Sequence, residues 1–377
     1  MEIKIIIGAN YGDEGKGLAA DYFAGQANND NILGVLTNGT AQRGHTVTLT
    51  DGRTHVFHHF SSATFQGADT YICKDFTVNP IIFIKELAEL KYEFSDHFCI
   101  YIHPECKVVT PFDMLKNLQE REISGLHNTC GAGYWNTLDR YNTDIEPLTF
   151  GEVMRMDPVQ LEYSLNQIYK YHFPKNNPLL VDIDIKGLIR HFISDIWLMN
   201  GKVKIANDSI LNKYGTLIFE NGQGLLIGQQ NDTNWDFCTP SDTGVYIPMK
   251  IIEDNHLLVH DIEVCYVSRT YLTRHGDGPL DHMCSSQDIN PEIYDFTNIP
   301  NVNQGTLRYG ELDTQELRKR IDADFGQTAL KTRYYTKSIM LTHWNEYKLD
   351  FLDDLSDGRI YISDGKSKEQ VKVVTWE

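Results

Sequence analysis

The residues best suited to chemistry lie near the start of the chain, in Gly12-Asp13-Glu14-Gly15-Lys16-Gly17. Glycines let main-chain N–H groups approach an anion, and a helix that begins just after such a loop adds positive potential. Lys16 supplies a point charge for a phosphate. The segment departs from the usual phosphate loop, which places Ser or Thr after GxxxxGK to hold magnesium. Here Gly17 takes that place, and a carboxylate, Asp13, stands three residues before Lys16. Carboxylates ligate magnesium and accept protons. On the plainer reading, Asp13 and Glu14 only favour the start of a helix.

The flanking residues can position such a loop. Ile3–Ile7 has strand length and is interrupted only by Lys4; Leu18–Gln26 reads as helix and Ile32–Leu36 as a second apolar strand. Strand, glycine loop, helix and strand open a βαβ unit with a buried parallel sheet. Asn79-Pro80 starts another helix, with Ile81, Ile84, Leu87 and Leu90 on one face. Helical patterns return near 158–171 and 183–199. Leu217–Gly224 is a strand ending in a second glycine loop, Gly222-Gln223-Gly224. Asp313 and Glu316 have the spacing of a capping box, and Ser338–Thr342 is a strand. Arg359–Ser363 and Val371–Trp376 alternate like edge strands. No repeat or linker is evident. The expected architecture is one α/β domain over 1–377, with a central, mostly parallel sheet flanked by helices and a helical excursion around 106–178.

Composition narrows the function. The 377 residues are 41% hydrophobic and 23% charged, which excludes collagenous, coiled-coil and disordered classes. The net charge of −18 disfavours nucleic acid as a partner while leaving room for a local phosphate pocket. No apolar run approaches the roughly 18–20 residues of a membrane span, and the first residues read as a strand rather than a signal peptide. Seven widely spaced cysteines without CxxC suit a reduced, cytoplasmic protein. The pair His58-His59, and His103 with Cys106, lack a complementary second pair, so packing roles are expected rather than metal.

With Gly44-His45-Thr46, Gly222-Gln223-Gly224 and Arg274-His275-Gly276-Asp277-Gly278-Pro279, the loop resembles the adenylosuccinate synthetase family. That family carries GDEGKG, AGHT, GAQG and TRxGxGP in this order. GDEGKG is matched completely and the others partly. The resemblance implies an α/β homodimeric ligase that joins L-aspartate to C6 of a purine nucleotide, with magnesium and a nucleoside triphosphate. The triphosphate phosphorylates the 6-oxygen, and the aspartate amine then displaces phosphate.

Such a reaction needs a base for the N1 proton, a metal, and cations on the moving phosphoryl group. Asp13 fits the base and a metal ligand, Lys16 the clamp, and His45 the donor beside the 6-oxygen. Gly44 offers a carbonyl to magnesium, as the family implies. Gln223 fits an amide that orients the 6-oxygen, or one that only stabilises its loop. Gly12, Glu14, Gly15, Lys16, Gly17, Gly44, His45 and Thr46 would surround the triphosphate. Gln42, where the family usually has asparagine, Thr129, Thr239, Arg274 and Arg140 would meet the purine monophosphate. Arg140 either reaches across a dimer interface or is an ordinary surface arginine.

Two departures bear on substrate. The family's base-reading TKxD looks here like Thr342-His343-Trp344-Asn345, with Ser363 and Gly365 as a second wall. A carboxylate accepts from both guanine donors; an amide offers one donor and one acceptor, which suits adenine and predicts ATP or dATP. The arginine-rich aspartate loop is reduced to Asn303–Gly310, where Gly305, Thr306 and Arg308 remain to bind aspartate. The missing arginine is one that contacts ribose, so a deoxyribonucleotide becomes acceptable unless another residue compensates. Both departures resemble the family's viral 2-aminoadenylosuccinate synthetase branch, which uses dGMP; in that setting the compartment is the host cytoplasm. The runner-up is the ordinary reaction with IMP and GTP. A nucleotide kinase or a non-catalytic binder would not need Asp13, His45, Gln223 and an aspartate loop together.

Overall fold

A computed structural model describes residues 1–28, 31–93, 98–125, 130–174, 182–229, 237–293, 305–328, 335–349 and 358–374. Ten strands build the main sheet: β1 (Glu2–Gly8), β2 (Ile32–Leu36), β3 (Asp69–Ile72), β4 (Ile100–Ile102), β5 (Lys204–Ile205), β6 (Thr216–Gly224), β7 (Asp261–Arg269), β8 (Tyr335–Thr342), β9 (Arg359–Ser363) and β10 (Val371–Val373). Their order is β5-β4-β3-β2-β6-β1-β7-β8-β9-β10. Every pair is parallel except β9 with β10. Helices must therefore cover both faces, and the central strands are apolar on both. Lys4, the polar interruption of β1, is accommodated by its register partner Glu263 on β7, with Nζ 3.0 Å from Oε2.

β1 is followed by helix α1 (Lys16–Gly25) and then β2, but β6 fills the place between β1 and β2. This reversal of strand order opens a crevice at the carboxyl edge of the sheet, where α/β proteins bind ligands. The GDEGKG loop follows the carboxyl end of β1, Gly222-Gln223-Gly224 closes β6, and Thr342 closes β8.

The expected helical excursion forms Pro111–Ser124, Tyr134–Asn142, Phe150–Val153 and Pro158–His172. Phe112, Phe150 and Leu165 share one buried cluster with Ile72 and Ile102 of the sheet, so these helices belong to the same α/β domain. Two local expectations change. Asp313 caps Thr314–Phe325 by accepting from the N–H groups of Gln315 and Glu316, but the Glu316 carboxylate meets His282 at 3.3 Å instead of closing the box. Arg359–Ser363 is an interior strand, because β8 and β10 pair on either side of it. No helix among the described residues is long and apolar enough to cross a membrane.

Candidate active site

The phosphate loop folds around its own charges. The Glu14 carboxylate turns inward and accepts from the N–H groups of Gly12 (2.6 Å) and Asn10 (3.2 Å). Lys16 Nζ donates to the Gly12 carbonyl at 2.6 Å and lies 3.4 Å from Glu14. Burial pushes the Glu14 carboxyl up, and Lys16 opposes that shift. Glu14, expected to line the triphosphate, thus shapes the loop from within.

The glycines are the points where other motifs dock. A Cβ on Gly8 would stand 2.6 Å from the Gln223 carbonyl, and one on Gly17 would stand 2.5 Å from the Thr46 carbonyl. Gly12 packs on Gln223, and Gly15 packs on Thr342. Gln223 is held at φ 67°, an uncommon conformation for a side-chain-bearing residue that marks a constrained site. Asn38 fixes this loop by accepting from the Gly222 N–H at 2.7 Å and donating to the Gly222 carbonyl at 3.2 Å.

Asp13 remains 34% exposed on the crevice side. Its main-chain carbonyl accepts from Arg269 Nε at 2.6 Å, and His275 Nε2 stands 3.6 Å from its carboxylate. The Gly44 main chain is exposed. A carboxylate with a main-chain carbonyl is the hard oxygen donor set that suits magnesium.

His45 begins a hairpin, His45–Thr48 with Thr54–Phe57, that packs on the start of α1. Its Nδ1 faces Arg43 Nη2 (2.7 Å) and Glu220 Oε2 (3.1 Å). Glu220 also accepts from Arg43 (2.6 Å), the Ser62 N–H (2.8 Å), Ser62 Oγ (2.9 Å) and Ser61 Oγ. Burial raises the Glu220 pKa, but the Arg43 charge foremost outweighs it and brings it to about 2. Burial and the Arg43 charge lower His45 to about 3.

Gln42 and Thr239 meet through Nε2 and Oγ1 at 3.2 Å, and Cys130 Sγ lies 3.8 Å from Gln42. Two of the expected monophosphate contacts thus share one wall. Thr129 lies outside the described residues. Arg274 is braced by the Pro279 and Phe237 carbonyls and stacks on Tyr11. It pairs in register with Arg308 across the antiparallel strands Leu272–Arg274 and Arg308–Gly310. Facing cations repel; an anion between them would relieve that cost. Gly305 and Thr306 precede Arg308 on the same segment.

The two segments expected to flank the base are joined through the main chain. Asn345 is exposed on the turn after β8, while the neighbouring Trp344 N–H donates to the Ser363 carbonyl at 3.1 Å. Ser363 Oγ caps the bend by donating to the Gly365 carbonyl at 2.7 Å.

Arg140 is placed differently from the expectation. It is buried, donates twice to Asp113 at 3.1 Å, and binds the Val108 and Glu146 carbonyls. Its guanidinium is spent inside its own helical lobe and is not displayed to a neighbouring subunit. The histidines suspected of packing do so: His59 lies 3.5 Å from buried Glu86, which also accepts from the His58 and His59 N–H groups.

The family profile of adenylosuccinate synthetase matches residues 5–361. The chain belongs to the adenylosuccinate synthetase family. Relatives within it include the adenylosuccinate synthetase of Finegoldia magna, 27% identical over 91% of this chain and 80% of its own length. That of Picrophilus torridus is 25% identical over 98% and 82%. Among solved structures, the fully ligated adenylosuccinate synthetase of Plasmodium falciparum superposes with a TM-score of 0.74 at 13% identity, covering 99% of both chains. The cyanophage S-2L succinoaminodeoxyadenylate synthetase (PurZ), bound to dGMP and dATP as an energy donor, gives 0.68 at 16% identity, covering 100% of this chain and 96% of its own. Membership makes this chain a C–N ligase of the adenylosuccinate synthetase type, built on the family's α/β fold.

Sequence reading missed several residues that the structure brings to this crevice. Glu220 carried a signal: a lone charge ending the apolar run Leu217–Phe219. Asn38 carried none, because only the crossing of distant strands brings it to the Gly222 loop.

Proposed function

We propose that this chain joins L-aspartate to C6 of dGMP at the expense of ATP or dATP, giving 2-amino-2′-deoxy-N6-succinyl-AMP, a precursor of 2,6-diaminopurine deoxynucleotides. The observation that carries the ligase chemistry is the docking of Gln223 and His45 onto the loop that holds Asp13 and Lys16, through Gly8, Gly12 and Gly17. Asp13 takes the N1 proton, Lys16 and the loop N–H groups hold the phosphates, and Gln223 orients the 6-oxygen while it is phosphorylated. His45 donates a hydrogen bond to that oxygen. The aspartate amine then attacks C6, and phosphate leaves with the oxygen. Asp13 and the Gly44 carbonyl would hold magnesium, which neutralises charge on the phosphates when bound. Arg308 would meet a carboxylate of the aspartate, and Arg274, in register beside it, the purine monophosphate.

The nucleotide choice rests on two features. Asn345 follows β8 where the family reads guanine with a carboxylate, and Thr342 beside it joins the phosphate loop. The segment ending in Arg308 is short, which removes a contact with the ribose 2′-hydroxyl. The S-2L neighbour, with dGMP and dATP bound, agrees with this reading. The rival reading, IMP with GTP, is favoured by the names of the sequence relatives. The resemblance carries a homodimer to either reading. Incubation with L-aspartate, ATP and either dGMP or IMP, followed by mass measurement, separates the two. Product from dGMP is expected; turnover of IMP alone would reverse the choice.

A further inference from the structure

We infer that Arg43 is a positioning residue that fixes the His45 ring by donating to its Nδ1, so that the ring proton sits on Nε2 and the donor facing the reacting oxygen is a fixed N–H. The inference rests on the proposed ligase reaction for its consequence, but its geometry is independent of the substrate.

A guanidinium has only donors. With Arg43 Nη2 at 2.7 Å, His45 Nδ1 must accept, because two N–H groups cannot face each other at that distance. The competing arrangement, Nδ1–H donating to Glu220 Oε2, would span a longer 3.1 Å. It would also address an oxygen already served by Arg43 at 2.6 Å and Ser62 Oγ at 2.9 Å. Glu220 therefore balances the charge of Arg43 and aims its Nη2 at the imidazole, while both ions are fully shielded from solvent. With Nδ1 accepting, the single ring proton sits on Nε2.

Two further observations point the same way. His45 Nε2 is buried and has no hydrogen-bond partner, as has the Nε of Arg43. Native proteins seldom leave such groups unpaired, so unmet donors in a crevice indicate a ligand that supplies acceptors. The purine 6-oxygen and phosphate oxygens are acceptors only. Arg43 occupies the first position of the segment that the family writes AGHT, so this chain carries at that point a charge that the signature lacks.

The tautomer is directly observable. Neutron diffraction from deuterated, nucleotide-free protein near neutral pH should show deuterium on His45 Nε2 and none on Nδ1. Deuterium on Nδ1 alone, or on both nitrogens, would overturn the inference whatever the enzyme turns over. In Arg43→Met the deuterium should move to Nδ1, now free to donate to Glu220. The kcat for succinyl-nucleotide formation should fall about tenfold or more with little change in KM, and Arg43→Lys should recover part of that loss. An unchanged tautomer in Arg43→Met would also refute it. Should that variant fail to fold, because the buried Glu220 loses its counter-ion, the native map decides alone. Failure of dGMP as a substrate would leave the neutron result untouched, so the two readings fall separately.

Discussion

Thr342 Oγ1 donates to the main-chain carbonyl of Glu14 at 2.7 Å, joining the last residue of β8 to the phosphate loop 328 residues earlier. The bond sets the distance between the loop that holds phosphates and the turn that carries Asn345. On the proposed reading, a triphosphate must satisfy both at once. Thr342→Val keeps the shape and removes the donor. It should raise KM for the triphosphate about fivefold, the equivalent of ~1 kcal/mol for one hydrogen bond, and leave KM for the monophosphate unchanged. Initial-rate measurements with each nucleotide varied in turn check this.

Asp13 lies on the open side of the loop and, among the described residues, its carboxylate holds no main-chain group, so its removal should cost activity rather than stability. Asp13→Asn should lower kcat by roughly 10²–10⁴, the usual worth of a general base, with the melting temperature nearly unchanged. Retained turnover would remove Asp13 from the reaction.

Asn345 is exposed and makes no demand on the fold, which isolates its effect on the donor base. Asn345→Asp should shift preference from ATP towards GTP by about tenfold or more, since the amide's mixed donor and acceptor pattern becomes two acceptors. Competition between the two triphosphates, read by phosphate release with L-aspartate present, measures the shift.

Arg140 closes a buried network with Asp113, whose other partners include His172 Nε2 at 2.8 Å and the N–H and hydroxyl of Thr110. Arg140→Met leaves a buried carboxylate with one partner fewer, and should destabilise the chain by roughly 3–5 kcal/mol. The kcat per folded molecule should not change. Urea unfolding paired with active-site titration distinguishes this from a role in binding nucleotide.

Acid stability follows from the buried carboxylates. Burial raises the Glu86 pKa, but His55 and His59 outweigh it and bring it to about 2, well below its usual 4.5. A depressed carboxylate adds stability that is present above the unfolded value and lost as pH falls through the folded one. Glu86 and Glu220 therefore predict a steep loss of stability from about pH 4.5 down to pH 2. Asp21 and Asp324, raised by burial to about 6, act oppositely, but only above the usual aspartate value near 3.8. Urea midpoints measured between pH 3.8 and 2 should fall continuously, and with a shallower slope in Glu86→Gln.

Much of the chemistry was legible in the residues themselves. GDEGKG between an apolar strand and a helix announced a phosphate loop, because few other local structures need glycine, lysine and carboxylate at that spacing. β1, α1, β2, β6 and β8 were visible as apolar runs or periodic segments, since each buries its side chains against helices. Short strands such as β3 and β4, with only four and three residues, were not, because so few residues carry no period.

What only the tertiary structure decided is how charges are spent. Arg140 and Arg43 are both arginines beside candidate motifs, and nothing local tells them apart. The chain packs Arg140 against Asp113 in the helical lobe and Arg43 against Glu220 and His45 in the crevice. A buried cation must find its counter-ion wherever the strand order puts one, and that order is set by the whole sheet, not by neighbours along the sequence.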